Sequence, residues 1–177
     1  HYTVEKNIYF GSERKKKGKR IDAKKIIKLL NIRNLLHKYP HQISSGEAQR
    51  VSLTRSLVSN PDLLLLDEPL SNIDENFKDE IQVKLKQLLK QYKITTIIVT
   101  HDSNEAFYLG DKCGVILKGK LIQFDNPYNV YHSPNSIDIV NFLNRGVLVP
   151  AKVISEYTLE NKDLGLIKGN FVNKHDI

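Results

Sequence analysis

Leu63-Leu64-Leu65-Leu66-Asp67-Glu68-Pro69 decides how this chain is read. Four consecutive leucines leave no polar face, so the run reads as a strand of a parallel sheet covered on both faces. Glu75 to Tyr92 is predicted to be helical, with Ile81, Leu85, Leu88 and Leu89 on one face and charges elsewhere. Ile94 to Thr100 is β-branched and reads as the next strand. Strand, helix, strand at this length is a βαβ unit, whose crossover should be right-handed. The fold class is therefore α/β.

The same reasoning extends outward. Asn60-Pro61 ends a helix expected from about Glu47 to Ser59. Asp22 is placed to cap an earlier helix with Ala23, Ile26, Ile27 and Leu30 on one face. Downstream, Cys113 to Lys118 and Leu121 to Asp125 form a hairpin across Gly119-Lys120. Short helices are expected at Tyr128 to His132 and Ile137 to Leu143. Beyond Gly146 the apolar residues alternate loosely, as at the start of a small β domain.

The 177 residues suffice for about one domain with a small appendix. The longest apolar runs fall far short of the roughly 18 residues of a membrane span. The chain is thus expected to be soluble and to meet a membrane only through a partner. One cysteine, Cys113, excludes an internal disulfide and fits a reducing compartment. There is no methionine, and His1-Tyr2-Thr3-Val4 reads as the interior of a longer protein. The net charge is +7, with much of the excess in Arg14-Lys15-Lys16-Lys17-Gly18-Lys19-Arg20. No aromatic residue interleaves that run to stack on bases, so it reads as a solvated loop and not as a nucleic-acid contact.

Chemistry concentrates at strand ends and one helix start. In an open α/β sheet, ligands bind outside the carboxyl ends of the strands. Asp67 and Glu68 stand there, and two carboxylates suit phosphate chemistry: one holds Mg²⁺, the other takes a proton from attacking water. His101 ends the neighbouring strand, where an imidazole can donate a hydrogen bond to a γ-phosphate. Ser44-Ser45-Gly46-Glu47 has the S-x-x-E spacing of a capping box. A helix N-terminus is also an anion site, and Gly46 lets a phosphate approach closely. Gly114 to Lys120 matches the phosphate-loop pattern G-x-x-x-x-G-K, but Leu121 stands where Ser or Thr should bind Mg²⁺, and the middle residues read as strand.

Taken together, these residues resemble the ATP-binding cassette family. Ile43-Ser44-Ser45-Gly46-Glu47 resembles the family's signature motif, and Ala48 to Leu57 its following helix. Leu63 to Glu68 resembles the Walker B strand, Ser71-Asn72-Ile73-Asp74 the D-loop, and Thr100-His101-Asp102 the switch histidine. The resemblance covers about residues 1–143, and it departs where Ser45 replaces the first glycine of the signature. It implies a P-loop NTPase-like, mostly parallel sheet with a helical subdomain at 1–60 and part of the catalytic core at 61–143. Residues 144–177 would begin a small β regulatory domain.

The resemblance also implies function. Two nucleotide domains of this family sandwich ATP and Mg²⁺ head to tail. Ser44, Ser45, Gly46, Glu47 and Asp74 would then contact nucleotide, with the signature serving the partner's. Asp67 would hold the metal, Glu68 would be the base, and His101 would meet the γ-phosphate of the chain's own nucleotide. The family's phosphate loop lies upstream of the matched motifs, so the 177 residues alone are expected neither to bind nor to hydrolyse ATP. Expected partners are a second nucleotide domain, integral-membrane permease subunits and, indirectly, an extracytoplasmic substrate-binding protein, but no nucleic acid. The place implied is the cytoplasmic face of the cell membrane, held peripherally. Pro127 to Tyr131 and Phe142-Leu143 resemble importer ATPases, and Gly146 to Ala151 those for ferric iron. Sulfate, polyamine and sugar importers are the alternatives within the class. A soluble ATPase of DNA repair or translation is the alternative outside it.

Overall fold

A computed structural model describes residues 2–10, 21–144 and 149–169. The basic run at 14–20 and the start of the Gly146 to Ala151 stretch lie outside these residues. The chain divides into two compact units, His1–Asp111 and Lys112–Ile177.

In the first unit, helix α1 (Val4–Tyr9) buries Val4 and Ile8. Helix α2 (Ala23–Leu29) is capped by the Asp22 carboxylate, which accepts from the Lys24 N–H at 2.9 Å. Two short 3₁₀ turns, Arg33–Leu35 and Pro40–Gln42, lead to α3 (Ser45–Val58). Asn60 then takes a left-handed φ of 52°, which stops the helix before Pro61.

Strand β1 (Leu63–Asp67) pairs in parallel with β2 (Thr95–Val99), in a register that sets Asp67 opposite Val99. Helix α4 (Glu75–Tyr92) is the crossover between them. Ile81, Leu85 and Leu88 recur at helical spacing and are buried. At the end of α4, the Lys93 N–H bonds the Lys90 carbonyl and the Ile94 N–H bonds that of Leu89. That is a Schellman cap, and Lys93 holds its left-handed position at φ 52°. Helix α5 (Ser103–Leu109) follows β2. It was not evident in the sequence.

Among the described residues β1 is covered on one face: Leu64 and Leu66 are buried, whereas Leu63 is 50% and Leu65 66% exposed. Ile97 and Val99 of β2 are exposed likewise. The buried pair shares one core with Leu53 and Leu57 of α3 and Ile81, Leu85 and Leu88 of α4. Burying each such side chain is worth about 1.5–3 kcal/mol.

In the second unit, β3 (Cys113–Leu117) and β4 (Lys120–Asp125) form the expected hairpin. Lys118 and Gly119 both have positive φ, 49° and 74°, as a two-residue type I′ turn requires. Gly114 to Leu117 are strand, so the phosphate-loop pattern found there is coincidental. Cys113 is buried, and burial pushes its thiol pKa up. Helices α6 (Pro127–His132) and α7 (Ile137–Leu143) come next, with Asn126 capping the first. Strands β5 (Lys152–Ser155), β6 (Thr158–Asn161) and β7 (Gly165–Lys168) form an antiparallel sheet in that order. Buried Asn161 shapes the β6–β7 turn: its Oδ1 accepts from the Asp163 and Leu164 N–H groups.

Candidate functional site

The parallel register places the ends of β1 and β2 side by side, and the chemistry gathers there. The Glu68 N–H donates to the Val99 carbonyl at 2.8 Å, extending the ladder one residue past β1. Its carboxylate Oε1 then accepts from the His101 N–H at 3.1 Å and lies 2.7 Å from His101 Nδ1. The two candidate residues, 33 positions apart in sequence, are thus in direct contact. The imidazole is 78% exposed. The Glu68 hydrogen bond, and then its charge, raise the His101 pKa above its ordinary value. The shift is toward the protonated ring, in which Nδ1–H donates to Glu68 and Nε2–H can meet an anion. Asp67 is exposed, and among the described residues no side chain bonds its carboxylate.

Glu68 has a left-handed backbone, φ 47°. Asn31, Asn60, Lys93 and Asn144 share that region, but each closes a helix, and Lys118 turns a hairpin. Glu68 does neither. A non-glycine residue there costs about 1–2 kcal/mol and persists only when its surroundings fix it. They do so at both ends. The N–H is held by Val99, while the carbonyl accepts from Gln49 Nε2 at 2.5 Å and Ser71 Oγ at 3.0 Å.

Gln49 comes from α3, whose start is the signature-like segment. Ser44 and Glu47 form a reciprocal capping box: the Glu47 N–H donates to Ser44 Oγ at 3.2 Å and the Ser44 N–H to Glu47 Oε2 at 2.8 Å. The bond from the Ser44 N–H is the main cause of a lowered Glu47 pKa. Ser44 and Ser45 are exposed. A Cβ built on Gly46 would lie 2.4 Å from the Asn72 carbonyl oxygen. The missing side chain therefore has a use inside the chain: it admits the 68–72 loop. Asp74 is exposed, and its carbonyl accepts the Phe77 and Lys78 N–H groups at the start of α4. Among the described residues, no bond joins the side chains of Ser44, Ser45 or Glu47 to Glu68 or His101, so the candidates form two clusters, linked through Gln49.

A second set of residues went unnoticed in the sequence. Thr100 Oγ1 donates to Glu105 Oε2 at 3.1 Å and accepts from the Asp102 N–H at 3.1 Å. Lys78 of α4 reaches Asp102 at 2.5 Å and Glu105 at 4.0 Å. Burial raises the pKa of Glu105, which is 1% exposed. Burial also pushes Asp102 up, but the Lys78 ammonium and the Glu105 and Asn104 N–H groups outweigh it and hold that carboxyl low. This network pins the turn that carries His101. Its one local signal was the D-x-x-E spacing of Asp102 and Glu105, which marks a helix start without telling where the glutamate points.

The chain is similar to known proteins. Residues 1–71 match the family model described as ABC transporter. The Fe(3+) ions import ATP-binding protein of Haemophilus influenzae is 38% identical over 164 residues, covering 90% of this chain and 46% of that protein. The spermidine/putrescine import ATP-binding protein of Mycoplasmopsis synoviae is 38% identical over 173 residues, covering 97% and 36%. The chain thus spans less than half the length of these relatives. A dimeric ATP-binding cassette solved in a post-hydrolysis state with ADP and Pi superposes with a TM-score of 0.61 at 25% identity, over 71% of this chain and 57% of that one. With the βαβ unit, the signature-like helix start and the contact of Glu68 with His101 beside these matches, residues 1–71 carry an ABC transporter domain, and the chain is similar over most of its length to ABC import ATP-binding proteins.

Proposed function

We propose that this chain belongs to the ATP-hydrolysing subunit of an importer, and that Glu68 is the general base of the reaction. The observation that carries the reading is the Glu68–His101 pair at the end of two parallel strands. Oε1 of Glu68 is engaged with His101, and Oε2 is left to take a proton from water. When protonated on both nitrogens, His101 can direct Nε2–H toward a γ-phosphate oxygen and stabilise charge there. Its Nδ1 bond to Glu68 fixes the ring's orientation.

The residues fit Mg-ATP. Mg²⁺ is commonly held by one or two carboxylates together with phosphates and water, not by a protein cage. Exposed Asp67 at the strand end suits that, and no cluster of three or more ligating side chains occurs among the described residues. When bound, the metal would supply charge neutralisation for the phosphates. Ser44, Ser45, Gly46 and Glu47 serve a nucleotide held by a second domain, whose approach they leave open by being at the surface, and Asp74 stands near that face. The partners are that second nucleotide domain, permease subunits and, through them, a binding protein. The site of action is the cytoplasmic membrane face. No helix among the described residues is long and apolar enough to cross a membrane.

For the cargo we take ferric iron, supported by the Haemophilus relative and the Gly146 to Ala151 resemblance. The polyamine relative, equally identical, is the competing reading. Loss of the gene should lower uptake of radiolabelled ferric iron and leave spermidine uptake unchanged, and the reverse pattern would reject the assignment. For the chemistry, Glu68→Gln in the intact protein should retain ATP binding and lose hydrolysis by on the order of a hundredfold. Near-normal turnover would show the base to lie elsewhere.

A further inference from the structure

We infer that Gln49 is a positioning residue for hydrolysis: from α3 its carboxamide holds both ends of the Glu68–Asn72 loop and so sets the backbone that aims the Glu68 carboxylate at His101. The inference rests on the reading of Glu68 as the base.

Three hydrogen bonds carry it. Gln49 Nε2 donates to the Glu68 carbonyl at 2.5 Å and to Ser71 Oγ at 3.2 Å, and Gln49 Oε1 accepts from the Asn72 N–H at 3.1 Å. One planar group thus grips the first and last residues of the loop. Ser71 reinforces the same point, donating from Oγ and from its N–H to the Glu68 carbonyl. The residue so gripped has the one left-handed backbone, among the described non-glycine residues, that serves neither a helix end nor a hairpin turn. Rotation of Glu68 toward an ordinary extended φ would redirect both its carbonyl and its side chain. Val99 fixes the N–H side of that residue, and among the described residues Gln49 and Ser71 alone bond it from the carbonyl side.

The anchor is rigid in its turn. Gln49 lies in the second turn of α3, whose start is closed by the Ser44–Glu47 box. Gly46, one turn earlier, brings the helix against the Asn72 carbonyl with no room for a Cβ. A displacement of the signature-like segment therefore reaches the loop at the Gly46–Asn72 contact and Glu68 itself through the Gln49 amide.

The test uses the intact protein in its transporter. Gln49→Met keeps length and removes every donor and acceptor. Gln49→Glu keeps an acceptor for the Asn72 N–H but sets an oxygen against the Glu68 carbonyl. Both should lower kcat at least tenfold while KM for Mg-ATP stays within twofold. The His101 imidazole titration should move back toward the ordinary value, because its carboxylate partner is no longer aimed. A merely structural role would lower folded yield without moving that titration. Should Gln49→Met not fold, Ser71→Ala, which removes an exposed hydroxyl from the same junction, should lower kcat about threefold at unchanged KM. Unchanged kcat in whichever of these variants folds overturns the proposal. Glu68→Gln is assayed alongside. An inactive Glu68→Gln beside a normal Gln49→Met rejects the Gln49 role alone, whereas an active Glu68→Gln rejects the base and this inference with it.

Discussion

Ser44 to Glu47 and Asp102 to Glu105 share one spacing and differ in what is built on it. Each begins with a side-chain cap and carries glutamate three residues later. At α3 the glutamate turns back to the N–H of its own cap and stays near the surface. At α5 it turns inward, takes the Thr100 hydroxyl and comes within 4.0 Å of Lys78. The two pKa values move in opposite directions, down for Glu47 through a backbone N–H and up for Glu105 through burial. Spacing therefore decides where a helix starts. Whatever lies above that start decides whether its glutamate is a cap or an anchor. The self-contained cap leaves its helix end exposed, while the anchored one fixes the strand end that carries His101.

Removing the anchor should have the largest effect. Glu105→Ala removes the acceptor of the Thr100 hydroxyl and opens a cavity, so urea unfolding should show a loss of about 2–4 kcal/mol. A loss below about 0.5 kcal/mol, the ordinary surface value, would erase the distinction between the two glutamates. Ser44→Ala should cost less, about 1 kcal/mol, as caps generally do. Its unfolding curve should otherwise match the parent's.

Acidity sharpens the contrast further. Glu105, with a raised pKa, favours the folded state most below the ordinary carboxylate range, and that advantage disappears as pH rises through the raised value. Glu47, with a lowered pKa, contributes above the ordinary range and loses its contribution as pH falls through the depressed value. Unfolding free energies measured from about pH 3 to about pH 7 should thus show Glu105→Gln gaining on the parent as pH rises. Glu47→Gln should lose ground over the same interval. Parallel profiles for the two variants would contradict the opposed environments.

Much of the site was legible in sequence because its parts are local or follow from strand order. The capping box needs four residues, and the end of β1 needs seven. The Glu68–His101 contact spans 33 residues, yet it follows once two consecutive strands pair in parallel with Asp67 opposite Val99. Gln49, Lys78 and Glu105 were not legible. Their bonds to Glu68, Asp102 and Thr100 depend on how α3, α4 and α5 pack at the strand ends, and helical periodicity records only which face is apolar.

Cys113 has a practical consequence. It is the single thiol of these 177 residues, it sits inside the β3–β4 hairpin, and its raised pKa keeps the nucleophilic thiolate scarce near neutrality. Maleimide chemistry on the native chain should accordingly be slow. A cysteine introduced at exposed Ser45 or Asn72 would take up a fluorophore or spin label ahead of it.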